Sequence, residues 1–177
     1  GCLVSISDDL ENIWKLKHAG NGYYITDCLQ FRGVTGRKYT LKVNSNGKLP
    51  NNYSYQSLPM ELRPVPPIDN LYWERELIEE ASESGTPKEG CRIYVETHDV
   101  KNGCNFYRWD FTETWEIRLP YDVKNKICWT TNKSTSILIK NTTLLSENYI
   151  SHFPVNIVSN ESDRLEDKYS IFVNQYS

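Results

Sequence analysis

Large apolar and polar side chains alternate along residues 105–120, NFYRWDFTETWEIRLP. Successive side chains of a β-strand point to opposite faces, so this period of two predicts a strand with one aromatic face against a core. Glu113 is the exception, because it falls on the apolar face. The run is also longer than a typical strand, and we expect a bulge or bend at residues 111–113 that turns the Glu113 carboxylate outward.

Shorter runs of the same kind, bounded by turn-forming residues, recur along the chain. They lie at residues 3–7, 12–16, 23–25, 39–43, 91–98, 127–130, 136–140, 155–158 and 169–176. The pair Asn102 and Gly103 predicts a hairpin in which residues 92–98 pair antiparallel with residues 105–111. The acidic segment 74–83 has helical preference, and we expect a short surface helix or a solvated loop there.

Three prolines within residues 63–69, RPVPPID, predict a stiff extended connector. We therefore expect one β-domain at 1–63, a connector at 64–69 and a second sandwich-like domain at 70–177, truncated at its carboxyl end. A proline-rich loop within a single domain is the alternative. The predicted fold class is all-β, with immunoglobulin-like β-sandwich blocks in tandem. The first block is expected to be incomplete, because an immunoglobulin-like sandwich has about seven strands and fewer are predicted before the connector.

Composition narrows the class of protein. The 177 residues include 12 tyrosines, and aromatic side chains favour sheets. The net charge of −3 and the lack of a basic run argue against a nucleic-acid partner. No stretch approaches the roughly 18 apolar residues that a membrane-spanning helix needs.

Candidate metal ligands and nucleophiles are few. His98 and Asp99 lie close to Cys104 in the sequence, but on opposite ends of the predicted turn, whereas a transition-metal site needs three or four converging ligands. His18 and His152 are isolated, and no GxSxG motif accompanies them. We therefore expect structural roles for these side chains, and no cofactor and no metal site are predicted.

Acidic side chains offer one possible chemistry. Asp110, Glu113 and Glu116 could supply the paired carboxylates of a glycoside hydrolase, provided that two of them face one cleft about 5–10 Å apart. Cross-strand ion pairs are the ordinary explanation for such residues. The acidic turn at 8–11 lacks the spacing of a calcium loop. No catalytic residue is predicted, and the ligand-binding residues remain unassigned.

Six landmarks occur in order along the chain: residues 22–24 (GYY), 33–41 (GVTGRKYTL), 63–72 (RPVPPIDNLY), 107–115 (YRWDFTETW), 128–129 (CW) and 168–177 (KYSIFVNQYS). Together they resemble a family of Bacteroidota surface lipoproteins known as domain of unknown function 4249. The resemblance covers nearly the whole chain. It implies tandem immunoglobulin-like domains attached to the outer membrane through an amino-terminal lipidated cysteine, often encoded beside a TonB-dependent transporter. The chain would then be the middle of a longer protein.

The five cysteines are Cys2, Cys28, Cys91, Cys104 and Cys128, an odd number without CxxC spacing. Cys2 follows Gly1 as in a lipoprotein signal, yet a strand is predicted where a polar tether would follow, so we expect the lipid anchor to lie outside this chain. The resemblance implies that Cys128 pairs with a cysteine outside this chain. The pairing of the other cysteines stays open.

The resemblance implies a non-enzymatic surface lipoprotein component at the outer membrane, an accessory or binding partner of a TonB-dependent transporter. A carbohydrate- or peptide-binding module is the alternative, with Trp109 and Trp115 as the best candidates for stacking on a sugar. A hydrolase is a further alternative. The ligand and the oligomeric state are left open.

Overall fold

The computed structural model describes residues 2–45, 53–78, 88–101, 103–121, 124 and 126–177. These residues form fourteen β-strands and one short 3-10 helix, and the strands pair antiparallel. The predicted all-β fold is confirmed, and its immunoglobulin-like topology stays a prediction. No helix in the described part of the chain is long and apolar enough to cross a membrane. The chain divides into two compact units, Gly1–Pro64 and Val65–Ser177.

The first unit contains β1 (Leu3–Asp8), β2 (Ile13–Lys15), β3 (Lys17–Gly20), β4 (Tyr23–Ile25), β5 (Lys38–Asn44), β6 (Ser54–Gln56) and β7 (Met60–Glu61). The main sheet has the order β2-β1-β5-β6, β7 also pairs with β5, and β3 pairs with β4. The Asp8 carboxylate accepts hydrogen bonds from the backbone after β1 and closes the predicted turn. Phe31 contacts Trp14 and Tyr39 edge-on, with ring centroids 4.9 and 5.8 Å away.

The second unit contains β8 (Ile68–Ile78), β9 (Lys88–His98), β10 (Phe106–Arg118), β11 (Ile127–Lys133), β12 (Leu138–Asn141), β13 (Tyr149–Ser159) and β14 (Tyr169–Tyr176), with the 3-10 helix at Asp163–Leu165. One sheet has the order β13-β9-β8. In the other, β10 pairs with β11 and β12 along one side and with β14 along the other. The predicted strand runs at 127–130, 136–140, 155–158 and 169–176 all lie on these strands or overlap them.

The core of the second unit lies between its two sheets. The alternation predicted for β10 is confirmed, because Tyr107, Trp109, Phe111 and Trp115 are buried. The Trp109 ring stacks on Phe153 of the opposite sheet, with centroids 4.4 Å apart. Burial of large aromatic side chains from both sheets supplies the main stabilisation of such a fold.

One polar side chain connects the two sheets inside this core. Gln175 Oε1 accepts a 2.7 Å hydrogen bond from Trp109 Nε1. Gln175 Nε2 donates to the Pro66 carbonyl at 2.8 Å and to Thr97 Oγ1 at 3.0 Å. The core at this end is therefore closed by a satisfied polar network, as buried polar groups require.

The predicted hairpin between residues 92–98 and 105–111 is wrong. Strand β9 pairs with β8 and β13, and β10 belongs to the facing sheet. The Asp99 carboxylate accepts hydrogen bonds from the backbone N–H groups of Lys101, Gly103 and Cys104. This turn carries the chain from one sheet to the other, so that the apolar faces of β9 and β10 meet across the core instead of lying side by side.

The short helix or solvated loop expected for residues 74–83 is wrong over 74–78, and residues 79–83 lie outside the described part of the chain. Strand β8 runs to Ile78, with Glu74 opposite Arg92 and Glu76 opposite Gly90 on β9. Cross-strand pairing of opposite charges outweighs the modest helical preference of glutamate.

The bulge expected at residues 111–113 is also wrong. Strand β10 pairs with β14 in unbroken register from Arg108 to Trp115. Glu113 remains on the inward face and is only 5% exposed. Its carboxylate stays inside because polar partners on neighbouring elements surround it there.

Candidate functional site

Glu113 is held by three side chains from later in the chain. Arg164 Nη1 donates to both carboxylate oxygens, at 2.9 and 3.2 Å. The Tyr169 hydroxyl donates at 2.9 Å and Asn156 Nδ2 at 3.2 Å. Burial, followed by the nearby Glu113 carboxylate, raises the pKa of Tyr169. These contacts give the buried carboxylate the hydrogen-bond partners that such a group requires.

The three acidic residues considered for hydrolysis do not meet in one cleft. Asp110 and Glu116 lie on the face of β10 opposite Glu113, and along a strand they are roughly 20 Å apart. Asp110 accepts a 2.9 Å hydrogen bond from Asn174, and Glu116 binds Arg118 at 2.7 Å. They therefore lack the spacing that paired carboxylates need.

The other sequence candidates have structural contacts. Asp99 forms the turn described above, and the Cys104 thiol donates to the Phe106 carbonyl at 3.1 Å. The ring of His98 contacts Tyr149 edge-on, and that of His18 contacts Tyr24. None of the five cysteines forms a disulfide bond, and Cys128 is exposed. Its pairing with a cysteine outside the chain stays a prediction.

An apolar pocket of about 440 Å³ lies between the two sheets of the second unit. Its walls come from Leu71 and Trp73 on β8, Cys91 and Ile93 on β9, and Tyr169 and Ile171 on β14. Apolar concave sites with few polar groups are the usual place for a ligand. Sequence reasoning missed this pocket, because it depends on which strands end each sheet.

The pocket exists because the facing sheet leaves β8 partly uncovered. The cross-strand register places Leu71 beside Val95 and Trp73 beside Ile93, on the inward face of the sheet. Leu71 is nevertheless 39% exposed and Trp73 65% exposed. Among the described strands, β8 pairs only with β9, and β14 pairs only with β10. An uncovered apolar face therefore lies beside two unpaired sheet edges.

The backbone of β14 presents hydrogen-bonding groups at this edge. Glu116 N donates to the Lys168 carbonyl at 2.9 Å. This hydrogen bond determines which positions of β14 form backbone hydrogen bonds with β10. Hydrogen-bonded positions alternate along an antiparallel pair, so the N–H and C=O groups of Tyr169, Ile171 and Val173 point away from β10. We call Leu71, Trp73 and these three β14 positions the edge groove.

A second grouping of polar side chains lies on the outward face of β8. Glu74, Glu76 and His152 place one potential metal-ligand atom each within 4.8 Å of one another. His152, which is isolated in the sequence, is thus brought beside two carboxylates by the fold. Sequence alone could not bring β13 beside β8 across the central strand β9. The period-two spacing of Glu74 and Glu76 was the available signal, since it puts both carboxylates on one strand face.

Comparison with known proteins identifies the family of the chain. No curated protein and no solved structure matches the chain. The family model described as Domain of unknown function (DUF4249) matches residues 1–177. The chain belongs to this family.

Proposed function

We propose that this chain is a non-enzymatic binding component of a bacterial surface lipoprotein, and that it binds an extended segment of a TonB-dependent outer-membrane transporter along the edge groove. The observation that carries the binding role is the uncovered apolar face of β8 beside the edge of β14, which no other described strand pairs with. The outer-membrane location and the transporter partner rest on the resemblance described above.

Strand addition fits the geometry of the edge groove. An incoming strand would pair with the outward-pointing backbone groups of Tyr169, Ile171 and Val173. Its alternate side chains would then cover Leu71 and Trp73, which gives the binding both a backbone and a side-chain component. The pairing would also complete the sheet edge, which natural proteins seldom leave open without covering or blocking it.

The contacts of the acidic residues support a non-enzymatic role. Glu113, Asp99 and Asp110 each have partners that account for their position. A carbohydrate-binding role is less well supported, because Trp109 and Trp115 are 1% and 6% exposed and cannot stack on a sugar. Peptide binding agrees with the proposal, because the transporter segment that binds in the edge groove is itself a peptide.

The transporter partner can be tested in cells of the native bacterium. A photoreactive phenylalanine analogue replaces Trp73 in the full-length protein, and irradiation is followed by mass spectrometry of the cross-linked species. The control places the analogue at Trp129, which is similarly exposed at 55% but lies on β11. We expect transporter peptides cross-linked from position 73 and not from 129. Equal yields from both positions, or no transporter peptide, would contradict the partner.

The strand-addition mode can be tested separately with a fluorescein-labelled peptide of alternating threonine and valine, flanked by lysines, in a polarisation assay. Trp73→Ala should weaken binding about tenfold or more, and Trp129→Ala should leave it unchanged. The same peptide with N-methylated backbone amides should not bind, since the pairing donors are removed. Equal affinity of the methylated peptide would rule out strand addition.

A further inference from the structure

The outward face of β8 carries a group of metal-type ligands that is separate from the edge groove. Glu74 and Glu76 project from β8, and His152 projects from β13 across Tyr94 of the central strand. His152 Nε2 lies 3.8 Å from Glu74 Oε2. The three ligand atoms all lie within 4.8 Å of one another. This grouping combines an imidazole with two carboxylates, which distinguishes it from a merely acidic patch.

The ring of His152 is fixed in place by its surroundings. The residue has φ +56°, in the left-handed region that non-glycine residues seldom occupy, and it lies where the register of β13 shifts between Ile150 and Phe153. Its ring stacks on Tyr94 with centroids 3.8 Å apart and an interplanar angle of 23°. The imidazole therefore loses little further freedom when it binds a ligand.

Tyr72 and Glu96, which are not among the proposed ligands, orient the imidazole ring of His152. The Tyr72 hydroxyl donates a 3.3 Å hydrogen bond to Glu96 Oε1. Tyr72 is therefore free to accept from His152 Nδ1–H, which lies 2.7 Å from the hydroxyl oxygen. This assignment leaves the lone pair of Nε2 facing Glu74. A histidine that ligates a metal almost always donates its other N–H to such a partner.

Glu76 is held in position by two hydrogen-bond donors. The Tyr94 hydroxyl donates to Oε1, and Arg92 Nε donates to Oε2 at 2.7 Å. Each carboxylate oxygen retains a second lone pair for another partner.

We propose that His152 Nε2 and one oxygen each of Glu74 and Glu76 bind a divalent transition-metal cation of the Zn²⁺ class, with water at the fourth position. Imidazole together with carboxylate favours such ions over Ca²⁺ and Mg²⁺, which take oxygen ligands. Bond lengths of about 2.0–2.2 Å require the ligand atoms to approach by roughly 1 Å. Rotation of Glu74, whose side chain is 49% exposed, can supply that movement.

Calorimetric titration of the metal-free chain with ZnCl₂ tests this site. We expect one Zn²⁺ per chain, at least tenfold weaker binding in His152→Gln and in Glu74→Gln, and no change in His98→Gln. His98 is the matched control, because it is exposed, contacts an aromatic ring and belongs to no group of three metal-type ligands among the described residues. Tyr72→Phe should weaken binding about tenfold, since it removes the support of the ligand histidine.

Titration with CoCl₂ gives a second readout, because tetrahedral Co²⁺ has strong visible absorption. We expect that absorption in the native chain and its loss in His152→Gln, with unchanged circular dichroism in both. Unaltered Zn²⁺ affinity in His152→Gln, an equal loss in His98→Gln, or equal affinity for Ca²⁺ would each overturn the proposal.

Discussion

Glu113 and Arg164 form an ion pair inside the second unit, with Arg164 Nη1 2.9 Å from Glu113 Oε1. The side chain of Glu113 is 6% exposed and that of Arg164 34% exposed. Arg164 belongs to the 3-10 helix before β14, so the pair connects this helix to the centre of the β10 sheet. Removing one partner of a buried pair leaves an uncompensated charge, which costs more than the pair itself contributes.

Arg164→Ala should therefore lower the free energy of unfolding of the second unit by about 3 kcal/mol. Glu113→Gln should cost less, about 1–2 kcal/mol, because the amide keeps part of the hydrogen bonding from Tyr169 and Asn156. Urea unfolding followed by tryptophan fluorescence measures both. A loss below about 0.5 kcal/mol in Arg164→Ala would show that the carboxylate does not depend on this partner.

Gln175→Ala should destabilise the second unit by about 1–3 kcal/mol, because it leaves the indole N–H of Trp109 and the Pro66 carbonyl without their side-chain partner. Ser170→Ala is the control on the same strand, where the side chain is exposed. Urea unfolding of the two variants side by side gives the comparison. Equal stability of the two variants would mean that the hydrogen bonds of Gln175 are not needed to hold the two sheets together.

Asp99→Ala should cost about 1–3 kcal/mol, because three backbone N–H groups of the turn lose one acceptor. Amide hydrogen exchange should also speed up at Gly103 and Cys104, whose N–H groups are both 2.7 Å from Asp99 Oδ2. The exposed Glu166→Ala variant serves for comparison. Unchanged exchange at these amides would exclude the carboxylate as the organiser of the turn.

Acid should destabilise the chain partly through Glu116, whose side chain is 1% exposed. The hydrogen bond from Arg118 outweighs the effect of burial and, with Lys168, holds the pKa of Glu116 below its ordinary value of 4.5. The unfolded chain therefore takes up this proton at a higher pH than the folded chain. The stabilisation is complete above pH 4.5 and is lost as the pH falls through the lower, folded-state pKa.

Free energies of unfolding measured in urea at several values between about pH 3 and 6 test this assignment. Below pH 4.5, the native chain should lose stability more steeply than Glu116→Gln, which has no proton to take up. Parallel curves for the two proteins would show that other carboxylates account for the acid sensitivity.

Local patterns in the sequence identified most strands. The alternation around Tyr107 and Trp109 predicted their strand and its buried face, because period-two burial depends only on neighbours along the chain. The inward position of Glu113 could not be predicted in this way. Its partners Asn156, Arg164 and Tyr169 come 43 to 56 residues later.

The pairing of the strands was the feature of the fold that the sequence predicted least well. The pair Asn102 and Gly103 is a good hairpin signal, but Asp99 organises a turn that changes sheets. The ligand group around His152 could not be predicted for the same reason, since β13 reaches Tyr72 of β8 only across Tyr94 of β9. Both features depend on tertiary arrangement, which a single sequence encodes only through contacts distant along the chain.

The position of β10 within its sheet has a consequence for biosynthesis. Its pairing partners among the described strands, β11, β12 and β14, all follow it along the chain. At 5–20 residues per second, a ribosome needs roughly 3–12 s to add the segment from the end of β10 to the end of β14. During that interval the newly made β10 strand, which carries two tryptophans, lacks the strands it pairs with, so we expect a chaperone to bind it.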